Sequence, residues 1–178
     1  WVQAEELADA LQRPDDLAAV YREVLEGHLS RPVRQDLARR AARFHDEWFG
    51  DDPDAMGTLL GRIVELDPEA QWAFERHVVV LTVAERWDGL IEVYDRALSH
   101  TADVERRKQL LDEAAHLAKD FAGDPGRAVD YMQLQLELDP ANAALVAGIE
   151  RLLERQRRWE DLIEMWQGRV LDMPTAEA

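Results

Sequence analysis

Apolar residues recur every three or four positions along almost the whole chain, separated by charged and polar ones. Between positions 87 and 99 the apolar stripe consists of Leu90, Ile91, Tyr94, Ala97 and Leu98. This spacing places apolar side chains on one face of an α-helix, whereas a half-buried strand would alternate polar and apolar residues. We therefore predict an all-α protein. The predicted helices lie near 1–12, 15–27, 31–49, 53–66, 69–85, 87–99, 103–121, 125–138, 142–157 and 159–171.

Aspartate, proline and glycine mark the predicted helix ends. Asp52-Pro53 and Asp124-Pro125 each place a capping carboxylate before a proline, which is well tolerated at the first helical position. Asp67-Pro68 and Asp139-Pro140 separate two helices, because the residue before a proline disfavours the α conformation. Further helix-end residues are Ser30 and Thr101 as N-caps and Gly27, Gly50 and Gly123 at C-termini.

The chain repeats itself at a long interval. WDGLIEVYDRAL begins at position 87 and WEDLIEMWQGRV at position 159, an offset of 72, and the same offset aligns Asp52-Pro53 with Asp124-Pro125. One extra residue near 44–51 aligns the earlier part of the chain at an offset of 73. Self-similarity of this extent predicts a stacked repeat array, a solenoid. We predict one array over 1–178, with copies at about 15–86 and 87–158 and a third beginning at 159.

The repeated segments resemble tetratricopeptide (TPR) repeats. Glu65-Leu66-Asp67-Pro68 and Glu137-Leu138-Asp139-Pro140 are similar to the end of the 34-residue TPR unit. The positions that open and pack its second helix are matched by Trp159, Leu162 and Trp166, by Trp87, Leu90, Tyr94 and Ala97, and by Pro125, Ala128 and Met132. The resemblance implies an α-solenoid of about five stacked antiparallel helix hairpins, wound into a right-handed superhelix.

In such arrays the first helix of each hairpin lines a concave groove. The resemblance therefore implies a partner-binding set of Trp72, Glu75, Val79, Arg151, Glu154 and Arg155. Neighbouring groove positions would be Thr82, Val83, Ala144 and Ala147, with His45, Trp48, Phe49, Leu117, Asp120 and Phe121 from the longer helices. Aromatic and arginine side chains suit a peptide or helix of a partner protein.

Several of these residues have a second interpretation as ordinary core. We favour core packing between repeats for Trp48, Phe49, Val79 and Phe121, because aromatic and aliphatic residues at helical spacing usually pack; Trp72 is evenly balanced. Recurrence at a fixed repeat position also assigns packing to Trp87, Tyr94, Trp159 and Trp166.

Composition and charge restrict the kinds of partner that we expect the protein to bind. A net charge of −16 over 178 residues repels phosphate backbones, so we expect no nucleic-acid partner. No run of 18 apolar residues occurs, so we expect no membrane insertion. The absence of cysteine excludes disulfides and is consistent with the cytoplasm, and the preference for arginine over lysine suggests a bacterial source. A chain that opens on Trp1 instead of methionine is expected to be an excised piece of a longer protein.

Arginine is clustered in three stretches, each near the first helix of a unit. The stretches are Arg31, Arg34, Arg39, Arg40 and Arg43, then Arg106, Arg107 and Lys108, then Arg151, Arg155, Arg157 and Arg158. One interpretation is that each stretch binds an acidic partner or a phosphate. We favour a solvated face in which Arg151 and Arg155 pair with Glu150 and Glu154 within their own helix.

The sequence contains few candidate catalytic or metal-binding residues. Asp112 and His116 lie four residues apart and would share a helix face, but the spacing indicates no third metal ligand and no HExxH zinc pattern. No G-x-S-x-G, phosphate-binding glycine loop or cysteine nucleophile is present. His77 is predicted to be a hydrogen-bonded core histidine. We therefore expect no cofactor, no metal and no catalysis.

These observations predict a non-catalytic protein–protein interaction scaffold that binds a peptide or helix in its concave groove. One alternative is a structural spacer that self-associates through apolar solenoid ends around Trp1 and Trp166. Another is an RNA-associated helical repeat, because IEVYDRAL also resembles half-a-TPR motifs. A third is an enzyme domain whose catalytic partners lie elsewhere.

Overall fold

A computed structural model describes residues 1–50 and 52–172, which form ten α-helices and no strand. The predicted all-α fold is confirmed, and every helix boundary lies within two residues of its predicted position. The helices are α1 (Val2–Leu11), α2 (Pro14–Glu26), α3 (Arg31–Phe49), α4 (Pro53–Leu66), α5 (Gln71–Val83), α6 (Trp87–His100), α7 (Val104–Asp120), α8 (Pro125–Leu138), α9 (Ala143–Gln156) and α10 (Trp159–Asp172).

The predicted Asp-Pro helix starts are confirmed. Asp52 Oδ1 accepts hydrogen bonds from the backbone N–H groups of Asp54 and Ala55 at 2.9 and 3.1 Å. Asp124 Oδ1 accepts the N–H of Arg127 at 2.9 Å. Each carboxylate therefore satisfies donors that the first helical turn leaves without partners.

The predicted cap at Thr101 is wrong. Asp103 caps α7 instead, because its side chain accepts the N–H of Arg106 at 2.7 Å. The Thr101 hydroxyl donates to the carbonyl oxygen of Ala97 at 2.7 Å, so it serves the end of α6. Ser30 does occupy the N-cap position of α3, although its side chain makes no cap hydrogen bond.

The chain forms two compact units, Trp1–Val93 and Tyr94–Ala178. In the first unit each of α1 to α4 packs on the helix that follows it, and α2 also contacts α4. Its core includes the fully buried side chains Tyr21, Leu25, Leu59 and Leu60. Serial packing of this kind is the arrangement of a helical-repeat array.

In the second unit α7 packs on α8, α8 on α9 and α9 on α10. Its fully buried side chains include Leu110, Leu111, Val129, Ile149 and Leu153. The number of five hairpins, the right-handed superhelix and the copy boundaries at 15–86 and 87–158 stay predictions.

Three corners of the chain, each a turn between two consecutive helices, share one backbone geometry. Gln12, Glu85 and Arg157 follow α1, α5 and α9 and have positive φ angles of 53°, 53° and 57°. Their sequence numbers differ by 73 and then by 72, the same offsets as in the sequence repeat. At each corner the left-handed residue donates its N–H to the carbonyl three positions earlier, and the next residue donates to the carbonyl five positions earlier. The repeat is therefore present in the backbone as well as in the sequence.

Candidate protein-binding site

An open cavity of about 810 Å³ lies among α7, α8 and α9 in the second unit. Helix α7 contributes one face through residues at helical spacing, and Met132 and Gln135 of α8 form the base. The complete lining is Asp112, Ala115, His116, Lys119, Asp120, Met132, Gln135, Asn142, Ala144, Leu145, Gly148, Arg151, Leu152, Glu154 and Arg155. Three residues of the predicted binding set, Arg151, Glu154 and Arg155, thus lie around one cavity.

The floor of this cavity is apolar. Ala115, Leu145 and Leu152 are buried, and Met132 is half-buried between them and solvent. A Cβ atom placed on Gly148 would lie 2.6 Å from the terminal methyl carbon of Met132. Glycine therefore lets the flexible Met132 side chain extend against α9, where it can adapt to an incoming apolar group.

The rim of the cavity is charged. Arg151, Glu154 and Arg155 are exposed, and Arg151 Nε donates to the backbone carbonyl of Ala147 at 3.1 Å. Within residues 1–50 and 52–172, neither Arg151 nor Arg155 forms an ion pair with another described side chain. Their guanidinium groups are thus available to a carboxylate from outside.

The predicted pairing of Arg151 and Arg155 with Glu150 and Glu154 is wrong. Arg151 turns back to its own backbone, and Glu150 Oε1 accepts the indole N–H of Trp166 in α10 at 2.8 Å. On the opposite wall, Lys119 pairs with its neighbour Asp120 at 3.3 Å.

The same positions in the first unit carry much larger side chains. At the offset of 72, Trp72 aligns with Ala144 and Arg76 with Gly148. The guanidinium carbon of Arg39 lies 5.5 Å from the centre of the Trp72 ring, a cation–π contact, and Arg76 forms an ion pair with Asp46. Bulky residues that pair with side chains of α3 occupy this face in the first unit, whereas alanine and glycine leave it open in the second.

The other three residues of the predicted set lie on α5 and do not border the large cavity. Trp72 is half-buried, and its indole N–H is buried without a hydrogen-bond partner among the described residues. Glu75 is exposed and accepts a hydrogen bond from Gln71 at 2.9 Å. Val79 is 59% exposed, so its interpretation as inter-repeat core is wrong.

Burial also corrects other groove and packing assignments. His45 and Leu117 are buried and therefore do not line a groove. Phe121 is 60% exposed and is not core, while Trp48 and Phe49 are half-buried.

The recurring aromatic residues divide into two groups. Tyr94 is buried, as predicted for packing, and Trp87 is half-buried. Trp159 and Trp166 on α10 are 53% and 50% exposed, so packing does not account for them. The aligned apolar residues in the earlier copies of the repeat are more fully buried.

Two histidines lie in the core of the first unit. His77 is 7% exposed, as predicted for a core residue, and lies against Gly57 and Gly61 of α4. His45 Nδ1 lies 2.9 Å from the carbonyl oxygen of Ala41, and burial lowers the pKa of His45 below 6.5. In the second unit Asp112 and His116 approach to 3.8 Å, but the described part of the chain contains no cluster of three metal-ligating side chains.

None of the described helices combines the length and apolar character that crossing a bilayer requires.

No protein-family profile and no curated protein sequence matches the chain. Among solved structures, the crystal structure of MamA is 12% identical, covers 93% of this chain and 92% of its own, and has a TM-score of 0.46. PilF of Pseudomonas aeruginosa is 13% identical over 91% of this chain and 79% of its own, with a TM-score of 0.41. A structure of MamA from residue 41 to the end, from Desulfovibrio magneticus RS-1, is 20% identical over 86% and 93%, with a TM-score of 0.39.

Proposed function

We propose that this protein is a non-catalytic interaction scaffold that binds a peptide or helix of another protein in the cavity among α7, α8 and α9. The observation that carries the proposal is the combination of an open apolar floor with two arginines that lack carboxylate partners among the described side chains. The volume of about 810 Å³ also falls within the range of roughly 300–1,000 Å³ that is usual for ligand sites.

Each part of the cavity suits a different part of the partner. An apolar side chain would displace water from Leu145, Leu152 and Met132, which favours binding through apolar burial. A carboxylate would bind between Arg151 and Arg155 through charge-assisted hydrogen bonds. No ion pair with a described side chain has to break first, so we propose a segment with an apolar residue next to an acidic one.

Trp72, Glu75 and Val79 remain proposed contacts on α5, separate from this cavity. Trp72 would have to exchange its contact with Arg39 for one with the partner. Its replacement by alanine therefore tests a different surface from the replacement of Arg151.

An arginine at position 148, which the first unit has at the aligned position, should fill the cavity. Gly148→Arg places there the side chain that Arg76 provides one repeat earlier, and Gly168→Arg is a matched control because nothing lies within 4 Å of a Cβ at that position. A pull-down with the purified chain is repeated with both variants, with Arg151→Ala and with Trp72→Ala, after confirming equal melting temperatures.

We expect Gly148→Arg and Arg151→Ala to lose the captured protein while Gly168→Arg retains it. Full retention by Gly148→Arg would refute the cavity as the binding site. Salt-sensitive binding of RNA that Gly148→Arg leaves unchanged would instead favour the nucleic-acid alternative, against which the net charge of −16 argues.

A further inference from the structure

Helix α10 exposes a continuous apolar face. Trp159, Ile163 and Trp166 follow one another at spacings of four and three residues, which places them on the same side of the helix. They are 53%, 54% and 50% exposed. Three large apolar side chains in one row form a patch of the kind that marks an interaction surface.

Two of the three equivalent positions in the preceding copy are buried, and Trp87, which aligns with Trp159, is half-buried. Ile91 and Tyr94, which align with Ile163 and Trp166 at the offset of 72, are 4% and 6% exposed. Tyr21, the corresponding residue of α2, is fully buried. Exposure is therefore peculiar to α10 and is not a property of this repeat position.

In both earlier copies a long helix contacts the tyrosine at this position, and in the first copy Trp1 also stacks on Tyr21 with ring centres 4.5 Å apart. Tyr21 packs on Phe44 of α3, with ring centres 5.5 Å apart, and α2 packs on α3. Tyr94 donates its hydroxyl hydrogen to Glu113 of α7 at 3.1 Å. The covering elements, α3 and α7, lie at the same place in the repeat.

The two covering helices share a buried stripe at the offset of 73. Each presents a leucine, a small or aliphatic residue beside it, and an alanine pair four residues later; the side chains are Leu37, Ala38, Ala41 and Ala42 in α3 and Leu110, Leu111, Ala114 and Ala115 in α7. Alanine lets the backbones of two helices come close, which leaves room for large aromatic residues on the covered helix.

An arginine in the first turn of each covering helix binds the end of the helix it covers. Arg34 donates to the carbonyl oxygens of Leu25 and Gly27 at 3.3 and 3.2 Å. Arg107, the equivalent residue of α7, donates to the carbonyl oxygen of Leu98 at 2.7 Å. Each guanidinium satisfies carbonyls that a helix C-terminus leaves free and lies at the negative end of its dipole.

We infer that the exposed face of α10 is a docking site for an amphipathic helix with the pattern Arg-x-x-Leu-(Ala/Leu)-x-x-Ala-Ala. The alanine pair packs over Ile163 and Trp166, and the arginine reaches the last carbonyls of α10. This site is separate from the cavity among α7, α8 and α9.

The chain itself provides the probe. A fluorescent peptide with the sequence of residues 103–120 contains Arg107 and the stripe of α7, and its binding to the purified full chain is followed by fluorescence anisotropy. The control peptide carries Ala114→Leu and Ala115→Leu, which keep it apolar but block close approach. The protein variant is Ile163→Asp, with Val83→Asp as the matched control because Val83 is 81% exposed on α5.

We expect the peptide to bind the wild type and Val83→Asp alike, and to bind Ile163→Asp at least tenfold more weakly. The leucine-substituted peptide should also lose at least tenfold. Equal binding to Ile163→Asp, or no saturable binding to the wild type, would overturn the inference. A dimer of the wild type that sedimentation detects without peptide, and that Ile163→Asp abolishes, would also overturn the inference. The face would then bind a second copy of the chain. Unchanged peptide binding by Gly148→Arg separates this site from the proposed cavity.

Discussion

Two glycines of α4 face the same histidine at different distances, and this difference predicts opposite responses to one substitution. A Cβ on Gly57 would lie 3.8 Å from His77 Nε2 and 3.9 Å from Leu81 Cδ2, which are ordinary van der Waals contacts. A Cβ on Gly61 would lie 3.2 Å from His77 Cε1, so the buried imidazole would have to move. In the second unit the residues that align with Gly57 and His77 are Val129 and Ile149, both fully buried, so a larger group fits opposite a non-aromatic partner.

The expected change in the free energy of unfolding follows from helix propensity and packing. Alanine is favoured over glycine inside a helix by about 1 kcal/mol. Gly57→Ala should therefore raise the free energy of unfolding by ~1 kcal/mol. Gly61→Ala gains the same amount but incurs an overpacking cost of ~1–3 kcal/mol against His77, so its net effect is zero or destabilising.

Urea unfolding, followed by both circular dichroism and tryptophan fluorescence, measures the difference, and the two transitions should coincide before free energies are extracted. A change of about 1 kcal/mol corresponds to roughly 2–4 °C in melting temperature for a chain of this size. In a His77→Ala background the penalty at Gly61 should disappear, so that both alanines stabilise equally. The reasoning is refuted if Gly61→Ala stabilises the wild type as much as Gly57→Ala does, or if their difference survives the loss of His77.

Three further predictions concern a buried tyrosine, a buried histidine and a half-buried ion pair. Tyr94→Ala should destabilise by ~3–5 kcal/mol, because Tyr94 is only 6% exposed, and unchanged thermal unfolding would show that the ring does not pack. Burial lowers the pKa of His45, so the unfolded chain takes up the proton first and the free energy of unfolding falls as the pH drops below 6.5. The urea midpoint of His45→Gln should therefore depend less on pH in this range than that of the wild type. Parallel pH curves for the two proteins would contradict this. The hydrogen bond from Arg40 lowers the pKa of Glu5 below 4.5, so its stabilisation is present above that value and is lost as the pH falls through the folded-state pKa. Arg40→Met should flatten this acid-side loss in pH-dependent unfolding, and an unchanged slope would exclude the pair as its source.

The helices were predictable because each boundary has a local signal. Asp52 and Asp124 cap the helices that they precede in the sequence, and the apolar spacing inside each helix needs no tertiary information. Thr101 was misassigned because two residues near one helix start, Thr101 and Asp103, can both act as caps, and only the path of the backbone decides between them.

The site was less predictable because an apolar pattern does not say which face a neighbour covers. Val79 lies in a run of aliphatic residues that make α5 apolar on most sides, and Trp166 occupies a position that is buried in the other copies. The cavity did have a sequence signal. Ala144 and Gly148 stand where the preceding copy has Trp72 and Arg76, and this loss of volume between copies marks the place where the second unit is open.

The corners at Gln12, Glu85 and Arg157 have a practical consequence, because they share backbone angles and hydrogen bonds but no side-chain chemistry. Glutamine, glutamate and arginine all occupy this left-handed position, so the corner does not require one particular residue. Removing the block 86–157 would connect Glu85 to Arg158 across a bend that the chain already makes, and inserting a second copy of that block would lengthen the protein without a new loop. We therefore expect these corners to serve as junctions for shorter or longer versions of the chain.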